Sequence, residues 1–153
     1  MFKYLFCRKQ TMFSKSTEYA LRATIYIAQK SDVEKKLGIG LISKAIGSPA
    51  SFTAKILQNL TRAKIVSAVR GPNGGFYLTQ KAKNLSVKSI LGAMNEDRVL
   101  KKCVLGLKKC SEEKPCPMHN QYKFIKENLV ELFESKTIGM LADEMKSGGS
   151  FIK

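Results

Sequence analysis

The chain contains no tryptophan, a single histidine, four cysteines, and only 12 acidic residues against 27 basic ones. Each shortage excludes something. With one histidine, no paired-carboxylate motif and no glycine-rich loop followed by Lys-Ser/Thr, acid–base or nucleotide chemistry has no machinery, so an enzyme is not expected. No apolar run is long enough to span a bilayer. The opening stretch "MFKYLFCRKQTM" imitates a secretory signal. Its apolar part of about six residues falls short of the roughly 7–15 such a segment uses, and Arg8 and Lys9 end it. Residues 1–11 are therefore expected to be a disordered leader, or the product of a start placed upstream of Met12. The protein is expected to work in the cytoplasm. Stable disulfides are disfavoured there, and clustered cysteines lean towards metal or redox chemistry.

What is present is a 153-residue chain with 44% hydrophobic residues, enough for one domain with an appended element. Its formal charge is +15. Residues 1–100 carry 17 Lys+Arg and 5 Asp+Glu, net +12, whereas residues 101–153 carry 10 and 7, net +3. A basic first two-thirds suits a polyanion, most simply nucleic acid.

The order of segments narrows this. "STEYALRATIYIAQKS" (16–31) places Tyr19, Ala20, Ala23, Tyr26 and Ile27 at helical spacing, with Ser16 or Thr17 as cap and Glu18 in the first turn. "GIGLISKAIGS" (38–48) reads as a short helix bracketed by glycines. "SPASFTAKILQNLTRAKIV" (48–66) follows, with Ser48 as N-cap, Pro49 at the first helical position, and Phe52, Ile56, Leu57 and Leu60 as the apolar face. A short helix, a Gly-containing turn and a second helix form the layout of a helix-turn-helix. Two β-type runs then flank "RGPNGG", whose Gly71, Asn73, Gly74 and Gly75 tolerate positive φ, so a hairpin wing is expected. Ser51, Thr53 and Lys55 near the start of the second helix are candidate contacts to phosphate or base edges. Arg70 with Gly71, Pro72, Asn73 and Gly74 is the candidate wing contact to the backbone and minor groove. A solvated helix face and an ordinary surface hairpin are the plainer readings of the same residues.

Helices are further expected over 85–96, capped by Ser86, over 118–135, and over 137–146, capped by Thr137. In the second of these, Tyr122, Ile125, Leu129, Leu132 and Phe133 make nearly a heptad seam. That face suits either a core or a twin chain, and palindromic operators favour dimers.

Between the first two of these helices, "CVLGLKKCSEEKPCPMH" (103–119) holds three of the four cysteines and the only histidine. No Cys-x-x-Cys pair occurs, which weakens a zinc ribbon and a thioredoxin-type centre. Cys103, Cys110, Cys116 and His119 still make a complete four-donor set, and soft sulfur suits zinc or an iron–sulfur cluster. Lys101, Lys102, Lys108, Lys109 and Lys114 would favour thiolates. Burial of three cysteines as small hydrophobes fits poorly with so polar a loop. Metal binding leads, and a reversible thiol switch stands second. Cys7 lies apart from the cluster and reads as incidental.

"STEYALRA" opening the first helix, "VRGPNGGFYL" in the wing and C…C…PCPMH before the long helix together resemble the IscR/NsrR family of bacterial regulators, from about Met12 to Met145. The resemblance implies a dimeric winged-helix transcription factor with a cluster ligated by Cys103, Cys110 and Cys116. It implies two choices for the fourth ligand. His119, three residues after the last cysteine, matches members with a [2Fe–2S] site. Glu18, near the start of the first helix, matches members in which a carboxylate from the other subunit serves a [4Fe–4S] cluster. The histidine favours the first. The gap between Cys103 and Cys110 is longer than the family pattern, which leaves cluster type open.

The expectation is thus a mainly α fold: a winged helix-turn-helix domain over 12–84, a loop and dimerisation helices over 85–146, and a disordered tail over 147–153. The expected function is a DNA-binding regulator, read as a repressor, of a palindromic double-stranded operator. It would be controlled by an iron–sulfur cluster, with no membrane and no small-molecule substrate. One rival is a regulator of the same fold that senses thiol oxidation, zinc or a small molecule. A more distant rival is a small redox or cluster-carrying protein without DNA function.

Overall fold

The computed structural model describes residues 12–107 and 112–147. The expectations for a leader over 1–11 and for the tail from 148 onward lie outside the described residues, as does Cys110.

Helix α1, Lys15–Lys30, begins one turn earlier than the sequence suggested. Ser14 is the cap, its hydroxyl accepting the Thr17 N–H, while Ser16 and Thr17 lie inside the first turn and Thr17 is buried. Such a cap stabilises a helix by about 1 kcal/mol. The Ser14 N–H is itself held by the Glu96 carboxylate at 3.0 Å. Helices α2, Ile39–Ile46, and α3, Ala50–Arg62, form the expected helix-turn-helix. Ser48 is not the α3 cap, contrary to expectation. Pro49 holds an extended ψ of 141° and occupies the cap position itself, and the Ser48 hydroxyl is buried without a hydrogen bond.

The wing is a two-stranded antiparallel hairpin, β1 Ser67–Val69 with β2 Gly75–Tyr77, in a register that sets Ala68 opposite Phe76. It is extended by a contact the sequence did not reveal. Leu37 exchanges both backbone hydrogen bonds with Phe76, at 2.9 and 2.8 Å, tying the loop before α2 to the wing. Gly75 is required there, because a Cβ would stand 2.7 Å from the Leu37 carbonyl oxygen. A four-residue helix α4, Gln80–Lys83, capped by Thr79, follows the wing and was not anticipated; it is too short to show a periodicity.

Helix α5, Val87–Ala93, is shorter than the 85–96 window, because Met94 leaves the helix and Asn95 turns to φ 58°. A 3-10 turn, Asp97–Leu100, leads into the cysteine segment. Helix α6, His119–Ser135, and α7, Ile138–Lys146, complete the chain, with the Thr137 hydroxyl capping α7 as expected. The chain closes on itself at the base of this excursion. Val87 N–H donates to Lys136 at 2.9 Å and Ile138 N–H donates to Leu85 at 3.0 Å.

One core joins these elements: Ala20, Ala23 and Ile27 of α1, Ile42 and Ile46 of α2, Ile56, Leu57 and Leu60 of α3, then Leu78, Ile90 and Ile138. Each Leu or Ile fully removed from water contributes about 1.5–3 kcal/mol. The assembly locks the recognition helix, the wing and the C-terminal helix α7 to α1. Helix α6 is the exception, for His119 is its only buried residue. Among the described residues no helix is long and apolar enough to cross a membrane.

Candidate nucleic-acid interface and cysteine centre

Helix α3 has two faces set by its own phase. Thr53, Ile56, Leu57 and Leu60 point into the core. Ser51, Ala54, Lys55, Gln58 and Arg62, at spacings of three and four, face solvent. With Ala68 and Phe76 of the wing, the first four of these line a shallow groove of about 460 Å³. The turn that joins the two wing strands, Arg70, Gly71, Pro72 and Asn73, is exposed. A recognition helix beside a basic turn is the shape that enters a major groove while its wing follows the adjoining backbone.

Two sequence-derived candidates change on this view. Thr53 is wholly buried and its hydroxyl donates to the Pro49 carbonyl at 3.0 Å, so it cannot reach DNA; its phase on the helix outweighs its polar type. Gly74 is half-buried and shapes the turn, its N–H donating to Gly71 at 2.9 Å, and a side chain there would strike the Val69 carbonyl. Gln58 and Arg62 were missed. The exposed complement of the Phe52, Ile56, Leu57, Leu60 stripe was the signal that would have found them.

The cysteine centre lies at the other end of the fold. Cys103 follows the 3-10 turn and Cys116 precedes α6; both are half-buried. Backbone N–H groups of Leu105 and Leu107 aimed at the Cys103 sulfur, aided by Cys116 and the Lys126 ammonium on α6, hold its pKa below the ordinary thiol value. His119 is 7% exposed and its N–H donates to the Cys116 carbonyl at 2.9 Å, fixing the cysteine to the first turn of α6. Beside it, Lys123 at 2.5 Å lowers the pKa of Glu112, with a smaller contribution from the His119 charge. Glu18 sits in the first turn of α1, ion-paired with Lys15 at 2.7 Å.

Cysteine sulfurs, one of them favoured as thiolate by amide donors and a cation, suit a thiophilic metal or an iron–sulfur cluster. Among the described residues no three His, Cys, Asp or Glu side chains are grouped closely enough to hold a metal ion. Among the described residues the structure thus gathers no three of Cys103, Cys116, His119 and Glu18 into one group, and Cys110 lies outside those residues.

A family model, Rrf2, described as an iron-dependent transcriptional regulator, matches residues 13–144. The chain belongs to the Rrf2 family. It is 30% identical over 129 residues to a putative HTH-type transcriptional regulator of Aquifex aeolicus, covering 83% of this chain and 88% of that protein. To the HTH-type transcriptional regulator IscR of Klebsiella pneumoniae it is 26% identical over 128 residues, 84% and 77% of the two chains. In three dimensions it is similar to the IscR of T. potens, with TM-score 0.65 and 21% identity over 90% of this chain and 91% of that one. The B. subtilis CymR, a global cysteine regulator, superposes with TM-score 0.69 and 18% identity over 88% and 98% of the two chains. This Rrf2 protein is thus a DNA-binding transcription regulator and not an enzyme, which sets aside the reading as a cluster carrier without DNA function.

Proposed function

We propose that this Rrf2 regulator's operator binding is governed by an iron–sulfur cluster held by Cys103, Cys110, Cys116 and His119, of the [2Fe–2S] type. The observation that carries the reading is the depressed Cys103 pKa, to which the Leu105 and Leu107 amides contribute most and Cys116 and Lys126 less. When bound, the cluster supplies a redox-active, oxidation-labile centre. The Cys103 amide cradle favours the thiolate a soft ligand site needs. His119, three residues after Cys116 and hydrogen-bonded to it, stands nearer this pair in the chain than Glu18 does, so His119 is preferred as fourth ligand. The 3-10 turn and α6 carry any change in the loop towards α5.

The operator is read by Ser51, Lys55 and Gln58 on α3 and gripped by Arg70 and the Gly71–Asn73 turn. Two copies would pair through α6, where Phe124, Ile125 and Leu132 stand 52–65% exposed, and together would match a palindromic site in cytoplasmic DNA. Anaerobic purification with iron and sulfide analysis tests the cluster; a colourless, iron-free chain that still responds to oxidants sinks it. Ser51→Ala should weaken operator binding with unchanged stability, whereas Thr53→Ser should lower stability by about 0.5–1.5 kcal/mol through a lost buried methyl. The reverse pattern would overturn the face assignment.

A second reading, a cluster-free regulator sensing thiol oxidation, is favoured by one observation, the Cys103 pKa held below the ordinary thiol value by the Leu105 and Leu107 amides.

A further inference from the structure

We propose that Glu96 and Tyr19 are positioning residues for operator binding, coupling the cysteine segment to the recognition helix through the first turns of α1. The inference rests on the reading of that segment as the regulatory centre, but it applies to any change of state there and needs no cluster. The contacts form one continuous path. Asn95, at φ 58°, turns the chain after α5, and the Glu96 carboxylate accepts the Ser14 N–H on both oxygens, at 3.0 and 3.3 Å. A carboxylate there also meets the positive end of the α1 dipole. From beyond the cysteine segment, Phe133 of α6 makes an edge-on contact with Phe13 at 5.7 Å. Residues 13 and 14 are thus held from both sides of the segment. The Ser14 carbonyl in turn accepts the Glu18 N–H at 3.0 Å, so the start of α1 moves with Ser14.

Tyr19 is where this end of α1 meets the helix-turn-helix. Its ring stands edge-on to Phe52 at 5.9 Å, and its hydroxyl donates to the Gly47 carbonyl at 3.4 Å. The Arg22 guanidinium lies over the same ring at 5.6 Å. Gly47, at φ 67°, is the left-handed residue that ends α2, and Phe52 stands in the first turn of α3 beside Ser51. One side chain therefore touches both the turn and the start of the helix that enters the major groove. The stripe Ala20, Ala23 and Ile27 shares one core with Ile56, Leu57 and Leu60, which holds the bodies of α1 and α3. Glu96 and Tyr19 act on the N-terminal turns outside that core, so they set how α3 is presented and not whether it folds. Coupling of this kind runs through packed side chains and hydrogen bonds that share a rigid element.

The test uses the full-length chain carrying Cys7→Ser, which leaves thiols only in the cysteine segment. It is stripped with a chelator and compared before and after alkylation with iodoacetamide, a change imposed on the segment without metal. The probe is a DNA duplex selected by the protein from a random pool, and hydrogen exchange over residues 14–21 and 47–55 is read by mass. Alkylation should change the affinity for the duplex by about fivefold or more and alter exchange in both stretches. Glu96→Ala and Tyr19→Phe should each cut that response to under about twofold, with an unchanged unfolding midpoint. Glu96→Gln, which keeps an acceptor for the Ser14 N–H, should restore most of it. The double variant Glu96→Ala with Tyr19→Phe should lose no more than either single one, because both lie on one path. A full response in Glu96→Ala, or exchange in α1 that ignores alkylation while affinity changes, overturns the coupling alone. A chain that never takes up iron yet responds to alkylation refutes the cluster and leaves the coupling standing. An affinity that ignores both alkylation and iron loading refutes the regulatory reading and this inference with it.

Discussion

The winged-helix half and the α6 half of this molecule put their apolar residues to opposite uses. In the first, most large apolar side chains of α1, α2 and α3 are sequestered, Leu41 excepted, with Ile27, Ile42, Leu57 and Leu60 fully buried. In the second, Phe124, Ile125 and Leu132 remain exposed along a 17-residue helix that buries only His119. Even Phe133, half-buried, has an edge-on contact with Phe13 at 5.7 Å and not a place in the main core. A chain that closes one half so thoroughly and leaves the other open has separated holding a shape from meeting a partner. Exposed apolar surface of this kind marks an interaction site.

The contrast is most sharply tested by truncation. Leu57→Ala should lower the stability of the protein by about 3–5 kcal/mol in denaturant titration, because the core around α3 has no room to collapse. Leu132→Ala should leave the unfolding of the isolated chain within about 0.5 kcal/mol and instead weaken self-association in sedimentation. Equal losses of stability from both would erase the distinction.

Next in size comes the wing. Gly75→Ala forces a Cβ against the Leu37 carbonyl, and a loss of about 1–3 kcal/mol is expected, together with weaker operator binding. Retained stability would show that the wing and the loop before α2 can part without consequence.

Arg70→Ala should weaken operator binding about tenfold and reduce the salt dependence by about one counterion, with no change in melting temperature. Binding unchanged across salt concentrations would refute the wing contact.

The smallest effect concerns the open half. In the metal-free chain the folded state favours the Cys103 thiolate, so its alkylation should reach half its maximal rate below the ordinary thiol pKa of about 8.5. The corresponding stability is present above the unfolded pKa and is lost as pH falls through the folded one. An alkylation midpoint at the ordinary value would mean that the Leu105 and Leu107 amides do not reach the sulfur in solution.

The same division explains what the sequence disclosed. Regular elements with a repeating apolar stripe, such as Phe52 to Leu60, were legible because phase and burial are one signal. The wing was legible from its turn chemistry. Contacts between distant segments were not, since Leu37 against Phe76 leaves no local pattern in either stretch. Thr53 was misplaced because its hydroxyl was weighed without its phase, though Leu57, four residues on, already assigned that face to the core. Ser14 was overlooked as a cap because Ser16 and Thr17 offered the same chemistry one turn later. At the cysteine centre the donor types were plain. The environment of Cys103, set by the Leu105 and Leu107 amides and Lys126, depends on how the 3-10 turn and α6 meet.

The hydrogen bonds that join Leu85–Val87 to Lys136–Ile138 have a further consequence. Beyond α5, whose Ile90 sits in the core, the described residues up to the end of α6 are bracketed at their base by these bonds. Adding or removing residues within the loop lengthens a closed excursion, and closing a longer loop costs only about 0.6 kcal/mol per doubling. Neither α7 nor its seat on α1 need shift. A change in the interval between Cys103 and Cys110 is therefore one the architecture can absorb. Loop length and ligand spacing are free to diverge among relatives, while the DNA-facing half keeps its geometry.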